Sequence, residues 1–333
     1  MTDAVHPGAT PAEADWDRAP GLLDGAMNLV LTAELCDLAY WLGAVAQGTL
    51  RGRVETGHAP EVGTPEHMRR PGPLREALVL ELGYRSIAEE KATRILSHYV
   101  AAAPSIPEME FFATQLIDEA RHAMVFRNHL VELGMPTEGL AGAIAALAAD
   151  YTRDVLDPVE EFALRVVRDE GDFYGGVAIF TIVIEGVLAP AAELSERKWG
   201  LLDPAASEVA RGATIDEIRH LTVGSSILRE HLIRHPEYRP RLMEILRAGR
   251  RLWDEVPDRP YVIRREELFQ EGMRELAGVV GDYEIWPGRR LLDTTPDERY
   301  DTAESWTDAM AEVRMRYMGL EDALPILMGQ PVS

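Results

Sequence analysis

The 333-residue sequence predicts an all-α protein. Strand signals are sparse, and apolar residues recur with a helical period along nearly the whole chain. A third observation agrees with these two. The string Asp-Glu-X-Arg-His occurs twice, as Asp118-Glu119-Ala120-Arg121-His122 and Asp216-Glu217-Ile218-Arg219-His220. Its carboxylate and imidazole stand three residues apart, the spacing that puts both on one side of a helical turn.

The elements follow in order. Residues 1–20 are rich in Ala, Pro, Gly and Asp and read as a disordered tail. They lack the basic start and apolar stretch of a signal peptide, so a cytoplasmic protein is expected. A first helix is expected over about 22–46, with Leu29, Leu31, Leu35, Leu38, Trp41 and Leu42 as its apolar positions. The Gly/Pro/Arg-rich stretch at about 48–73 is a long connection. A second helix, about 74–103, stops at Pro104. Ser105 and Glu108 form a capping box that opens the third, which ends near Gly134. Helical pattern resumes over about 137–169, where Pro158 marks a break or kink. The apolar helix at about 173–199 carries Pro190 as a second kink. Pro204 lies near the start of a helix reaching about His231. Helices at about 240–256 and 264–280, irregular chain, and a last helix at about 305–318 complete the sequence. No domain boundary stands out, so 21–333 reads as one domain whose core bundle spans about 74–233.

Composition narrows the function. Acidic residues outnumber basic ones 56 to 34, a net charge of −22. That argues against nucleic acid and anionic membrane surfaces, where a basic patch supplies the affinity. Cys36 is the single cysteine, which rules out an intrachain disulfide and thiolate iron–sulfur ligation within one chain. It lies in an apolar run and reads as a buried, inert thiol. Residues 175–192 are almost wholly apolar but shorter than the ~20 residues of a membrane span, and they carry Glu185. A helix buried on all sides has the same pattern.

The repeated string points to metal. Four specified residue types should recur by chance in well under roughly one chain in a thousand. A carboxylate-bridged two-metal site in a four-helix bundle needs a Glu-x-x-His from each of two helices and a lone Glu from each of the others. Upstream of the second motif, Glu185 is the only ionisable residue between Asp172 and Glu193. Burying it unpaired would cost several kcal/mol, so it reads as a ligand. Upstream of the first motif, Glu89 and Glu90 are adjacent. Glu89 lies nearer the apolar face of Ala88, Ala92, Ile95, Leu96, Tyr99 and Val100 and is favoured, with Glu90 as the alternative. The expected ligand set is therefore Glu89, Glu119, His122, Glu185, Glu217 and His220. Glu119 and Glu217 are expected to bridge, with Glu89 and Glu185 terminal. Oxygen and imidazole ligands suit iron or manganese.

A ligating imidazole usually donates its other N–H to a carboxylate. Asp118 is expected to serve His220 and Asp216 to serve His122, each across the bundle. Arg121 and Arg219 either pair with these aspartates or are surface residues. Thr181, one turn before Glu185, is a candidate pocket residue. Phe112, Phe126 and Phe180 read as core, and Tyr84, Tyr99 and Tyr174 as buried tyrosines with satisfied hydroxyls.

The doubled motif with two upstream glutamates resembles the ferritin-like di-iron carboxylate oxygenases over about 74–233. That class includes soluble monooxygenases, acyl-carrier-protein desaturases, ribonucleotide reductase small subunits and amine N-oxygenases. Length, outlying helices and the lack of a reductase domain are most similar to natural-product amine N-oxygenases and azoxy-forming di-iron proteins of the valanimycin type. The aryl-amine N-oxygenases carry a further histidine one turn before the second motif. Ala213 stands there in this chain, which weakens transfer of nitroarene-forming chemistry.

The resemblance implies a ferritin-like four-helix bundle holding two irons, or manganese, with O2 as co-substrate. It implies oxidation of a nitrogen centre in a small amine or hydrazine, with an azoxy group as one product. No flavin or nicotinamide fingerprint is present, so a ferredoxin-type donor is expected to supply electrons. A homodimer is a further expectation. A di-iron C–H hydroxylase or desaturase is the alternative enzyme, and a non-catalytic ferritin-like iron-binding protein the alternative of another class.

Overall fold

A computed structural model describes residues 11–329, and among them the protein is all-α. The one departure is a small antiparallel hairpin of Glu284–Trp286 and Arg289–Arg290, in the stretch expected to be irregular. Two long helical hairpins make the centre. The Pro73–Ala102 helix opens on a proline, whose missing N–H falls among the unpaired donors of a first turn. After residues 103–105 the chain reverses into Ile106–Glu132, and so short a connection makes the two helices antiparallel neighbours. Ser105 caps this helix by accepting from the Glu108 N–H and donates its hydroxyl to the Glu108 carboxylate, in place of the backbone bond that would complete the expected capping box.

The second hairpin pairs Phe173–Trp199 with Pro204–Arg234, and Asp203 caps the latter by accepting from the Ala206 N–H. Phe173–Trp199 is long and apolar enough to cross a membrane, yet 72% of its most apolar window is buried inside the protein. Pro190 does not end it. The irregular turn lies upstream, a π-helical Ile179–Ile184 that leads directly into Glu185. Pro158 does sit at a junction, in the first turn of Asp157–Leu164 after a π-helical turn at Thr152–Leu156.

The two hairpins close on one aromatic cluster of Tyr99, Phe111, Phe112, Phe173 and Phe180. At the other end Trp199 and Phe269 pack edge to face, their centroids 5.0 Å apart. Beside them Lys198 is buried between the carboxylates of Glu81 and Glu266, at 2.8 and 2.5 Å.

The helix expected over 22–46 is broken. Leu22–Asn28 is helical, and helix resumes only at Leu38, where Asp37 caps the new start. Tertiary hydrogen bonds replace the helical ones between them. Arg314 donates to the Ala26 carbonyl at 3.1 Å, and Ser226 donates to the Leu31 carbonyl at 2.6 Å. Cys36 is buried, as expected. Of the tail expected over 1–20, residues 1–10 lie outside the described residues. Residues 11–20 lie against the body, with Ala14 buried and Arg53 stacked 3.9 Å from the Trp16 ring. The last long helix, Pro296–Met318, begins well before residue 305 because Thr295 caps it.

Candidate metal centre

Helical spacing puts Glu119 and His122 on one face of Ile106–Glu132, and Glu217 and His220 on the corresponding face of Pro204–Arg234. Glu89 enters from Pro73–Ala102. Glu185 enters from Phe173–Trp199, as the first α-helical residue after the π-helical turn. Four helices thus converge, and their ligand atoms form two groups, each within 4.8 Å. One holds Glu89, Glu119 and His122; the other holds Glu119, Glu185, Glu217 and His220.

Glu119 belongs to both groups. Its Oε2 lies 3.5 Å from His122 Nδ1, and its Oε1 lies 3.3 Å from His220 Nδ1. Glu89 Oε2 is 3.9 Å from His122 Nδ1. Glu185 Oε1 and Glu217 Oε2 are 3.4 and 3.9 Å from His220 Nδ1. Glu217, expected to bridge like Glu119, stands in the His220 group alone. Glu90 points outward and pairs with Arg94, which decides between the adjacent glutamates in favour of Glu89.

The outer partners are crosswise. His122 Nε2 lies 3.1 Å from Asp216 Oδ2, and His220 Nε2 lies 3.3 Å from Asp118 Oδ2. A carboxylate only accepts, so each Nε2 carries a proton, and each Nδ1 faces the cluster. Arg121 donates to Asp216 at 3.0 Å, while Arg219 donates to both Asp118 and Asp216. Both arginines are buried, so they are not surface residues.

Two partners had escaped the sequence reading. Trp41 donates its indole N–H to Asp118 Oδ1 at 2.8 Å, and Gln115 donates to Glu185 Oε1 at 2.6 Å. Gln115 sits one turn before Glu119, a placement visible in the sequence. Trp41 lies in the helical stretch that resumes at Leu38, and its partner 77 positions away left no local signal.

Whether a cation fits can be judged from the hydrogen bonds left unmade. Glu119 Oε1, His122 Nδ1, Glu185 Oε2, Glu217 Oε2 and His220 Nδ1 are all buried without a partner. Unpartnered buried polar atoms are rare, and five facing one another are lone pairs suited to a metal. Electrostatics agrees. Burial, with repulsion from Glu119, raises the Glu89 carboxyl well above its ordinary range. Burial and repulsion from Glu185 do the same to Glu217. Burial pushes Glu185 up to about 7. Burial also opposes ionisation of Glu119, but the nearby Glu89 carboxyl and the His122 and His220 rings outweigh it and hold it well below the carboxylate range. Such crowding of four buried carboxylates and two imidazoles is compatible with a metal site.

A cavity of about 580 Å³ opens beside all four glutamates. Phe180, Thr181 and Tyr84 line it, as does Ala213. Phe112 and Phe126 are core residues away from it. Tyr99 donates to the Gly176 carbonyl at 2.7 Å, and Tyr174 stacks on His231 with centroids 3.5 Å apart. Thr181 faces Gly224 of the neighbouring helix, where an added Cβ would lie 2.0 Å from Thr181 Oγ1. Only glycine permits that approach. No family model and no curated protein sequence matches this chain.

Proposed function

We propose that the protein is a ferritin-like di-iron oxygenase that oxidises a nitrogen centre of a small amine or hydrazine. The observation that carries the reading is the convergence of two Glu-x-x-His pairs and two lone glutamates from four helices, with Glu119 common to both ligand groups. Glu89, Glu119 and His122 would hold one ion, and Glu119, Glu185, Glu217 and His220 the other. Iron fits the oxygen and imidazole donors, as does manganese. When bound, the two irons supply activation of O2 and transfer of oxygen to substrate.

The chain's own residues do the rest. Asp118 and Asp216 hold the Nε2 protons and so present both Nδ1 atoms to metal. Gln115 holds one oxygen of Glu185 and leaves the other directed at the cluster. Phe180, Ala88, Ala92 and Leu188 give the cavity an apolar wall that limits water beside the carboxylates. Its volume suits a small substrate. Reducing equivalents come from a ferredoxin-type partner.

Metal analysis and turnover test this together. The purified protein should hold two irons per chain, and Glu185→Ala or His220→Ala should each lose one. Retention of both irons in either variant sinks the assignment. With a ferredoxin reducing system and O2, hydrazines and amines should be oxidised at nitrogen. Hydroxylation at carbon alone would overturn the substrate class and leave the metal centre standing.

A further inference from the structure

A second cluster lies two turns further along Ile106–Glu132, where the long connection crosses the end of the bundle. It contains His58 from the connection, and His129 and Glu132 from the helix, with ligand atoms within 4.8 Å of one another. The hydrogen bonds around it orient both rings. His58 Nδ1 lies 2.9 Å from the Ala59 carbonyl, which can only accept, so Nδ1 carries a proton. That Nε2 faces the Glu132 carboxylate at 3.0 and 3.3 Å. His129 Nε2 lies 3.1 Å from Asp203 Oδ2 and donates to it. His129 Nδ1 is fully buried, without a hydrogen-bond partner, and 3.4 Å from Glu132 Oε2.

Two imidazole nitrogens thus face one carboxylate, an arrangement held together either by protons on the rings or by a cation between them. The spacing says what kind. Donor atoms about 2.1 Å from a tetrahedral ion stand about 3.4 Å apart, and the closest separations from Glu132 to the two imidazoles are 3.0 and 3.4 Å. The outer contacts are also those of a metal site. Asp203 orients His129 while its other oxygen caps the Pro204–Arg234 helix, and Thr64 donates to Glu132 Oε2 at 2.8 Å.

We propose that His58, His129 and Glu132 bind a divalent cation, zinc being the best match, at a site separate from the four-helix centre. Two imidazoles and one carboxylate suit zinc's tetrahedral preference, and the half-exposed edge at Glu132 leaves the fourth position to water. The ion would tie the connection to the ends of both hairpins. That connection already leans on them: the Ala59 N–H donates to Glu208 at 2.8 Å, and His67 Nε2 bonds the Leu202 carbonyl at 2.7 Å.

The test uses the full chain loaded with iron and then titrated with Zn2+. The expected result is one zinc per chain beyond the two irons, lost in His58→Gln and in Glu132→Ala but kept in Glu185→Ala. Should the variants misfold, Co2+ in the unmutated, iron-loaded protein should give the strong visible bands of a tetrahedral site. Overturning results are a wild-type chain that binds nothing beyond its irons, or a further ion retained in both variants. Absence of the ion would mean that protons on both imidazoles supply the charge. A chain with one ion sensitive to His58 and none sensitive to Glu185 would support this site while refuting the four-helix centre.

Discussion

Asp118→Asn separates a metal-orienting role from a merely structural one. Asp118 is fully buried and accepts from three donors, Trp41 on Oδ1 and both Arg219 and His220 on Oδ2. Asparagine keeps the shape but replaces one oxygen with NH2. With its oxygen toward His220, the NH2 confronts the Trp41 N–H, 2.8 Å away in the present geometry. An unsatisfied buried donor costs about 1–3 kcal/mol of stability. Weaker orientation of the imidazole lowers metal affinity by about 10–100-fold. That corresponds to about 1.4–2.8 kcal/mol.

Anaerobic Fe2+ titration measures the second quantity and denaturant unfolding the first. In a His122→Ala background, where the His220 group holds the remaining ion, Asp118→Asn should weaken binding and Asp216→Asn should do so far less. Adding Trp41→Phe removes the opposing N–H and should return about 1 kcal/mol of stability without restoring iron affinity. Unchanged iron affinity in Asp118→Asn, or equal effects of the two aspartates, refutes the crosswise assignment.

Three further outcomes are expected. Glu89→Gln should reduce iron toward one ion per chain, whereas Glu90→Gln should leave two; metal analysis of both variants decides, and equal losses would reopen the choice. Gly224→Ala should cost about 1–3 kcal/mol in denaturant unfolding, because its Cβ meets Thr181 Oγ1, and Thr181→Ala should recover part of that. Lys198→Met should move acid unfolding to higher pH. Burial by itself raises the Glu266 carboxyl, but Lys198, Arg299 and Arg265 outweigh it and bring it down from 4.5 to about 2. A depressed carboxyl contributes stability above pH 4.5 that is lost as pH falls through about 2. Removing Lys198 raises that lower limit and should cost about 3–5 kcal/mol at neutral pH. Circular dichroism against pH checks it, and an unmoved midpoint would show the pairing to be weak.

What the sequence made legible were features that depend on short spacing. Glu119 and His122 sit where an i,i+3 rule puts them, and Ser105 with Glu108 announced a helix start from four residues. Glu185 was conspicuous because nothing else ionisable surrounds it. The crossed aspartates followed from the symmetry of the repeat. Long-range features were hidden. Residues 22–46 carry good helical periodicity, yet the helix is interrupted over 29–37, where hydrogen bonds from Arg314 and Ser226, far along the chain, meet the backbone around the break. Trp41 reaches Asp118 only because of that break. The π-helical turn before Glu185 likewise left no trace in a run of Ile, Phe, Thr and Val. His58 and His129 are 71 positions apart (129 − 58) in a chain with nine histidines, so their meeting was invisible until the connection was folded over the bundle.

The crosswise pairing of Asp118 with His220 and Asp216 with His122 has a consequence for assembly order. A chain emerging from the ribosome completes the first hairpin before the second exists. At that stage His122 lacks the Asp216 carboxylate, and Asp118 lacks Arg219 and His220. If the proposed centre binds metal, its acquisition would follow docking of the two hairpins, and a bound ion would oppose their separation. Iron loading would then report that the two halves of the protein have found each other.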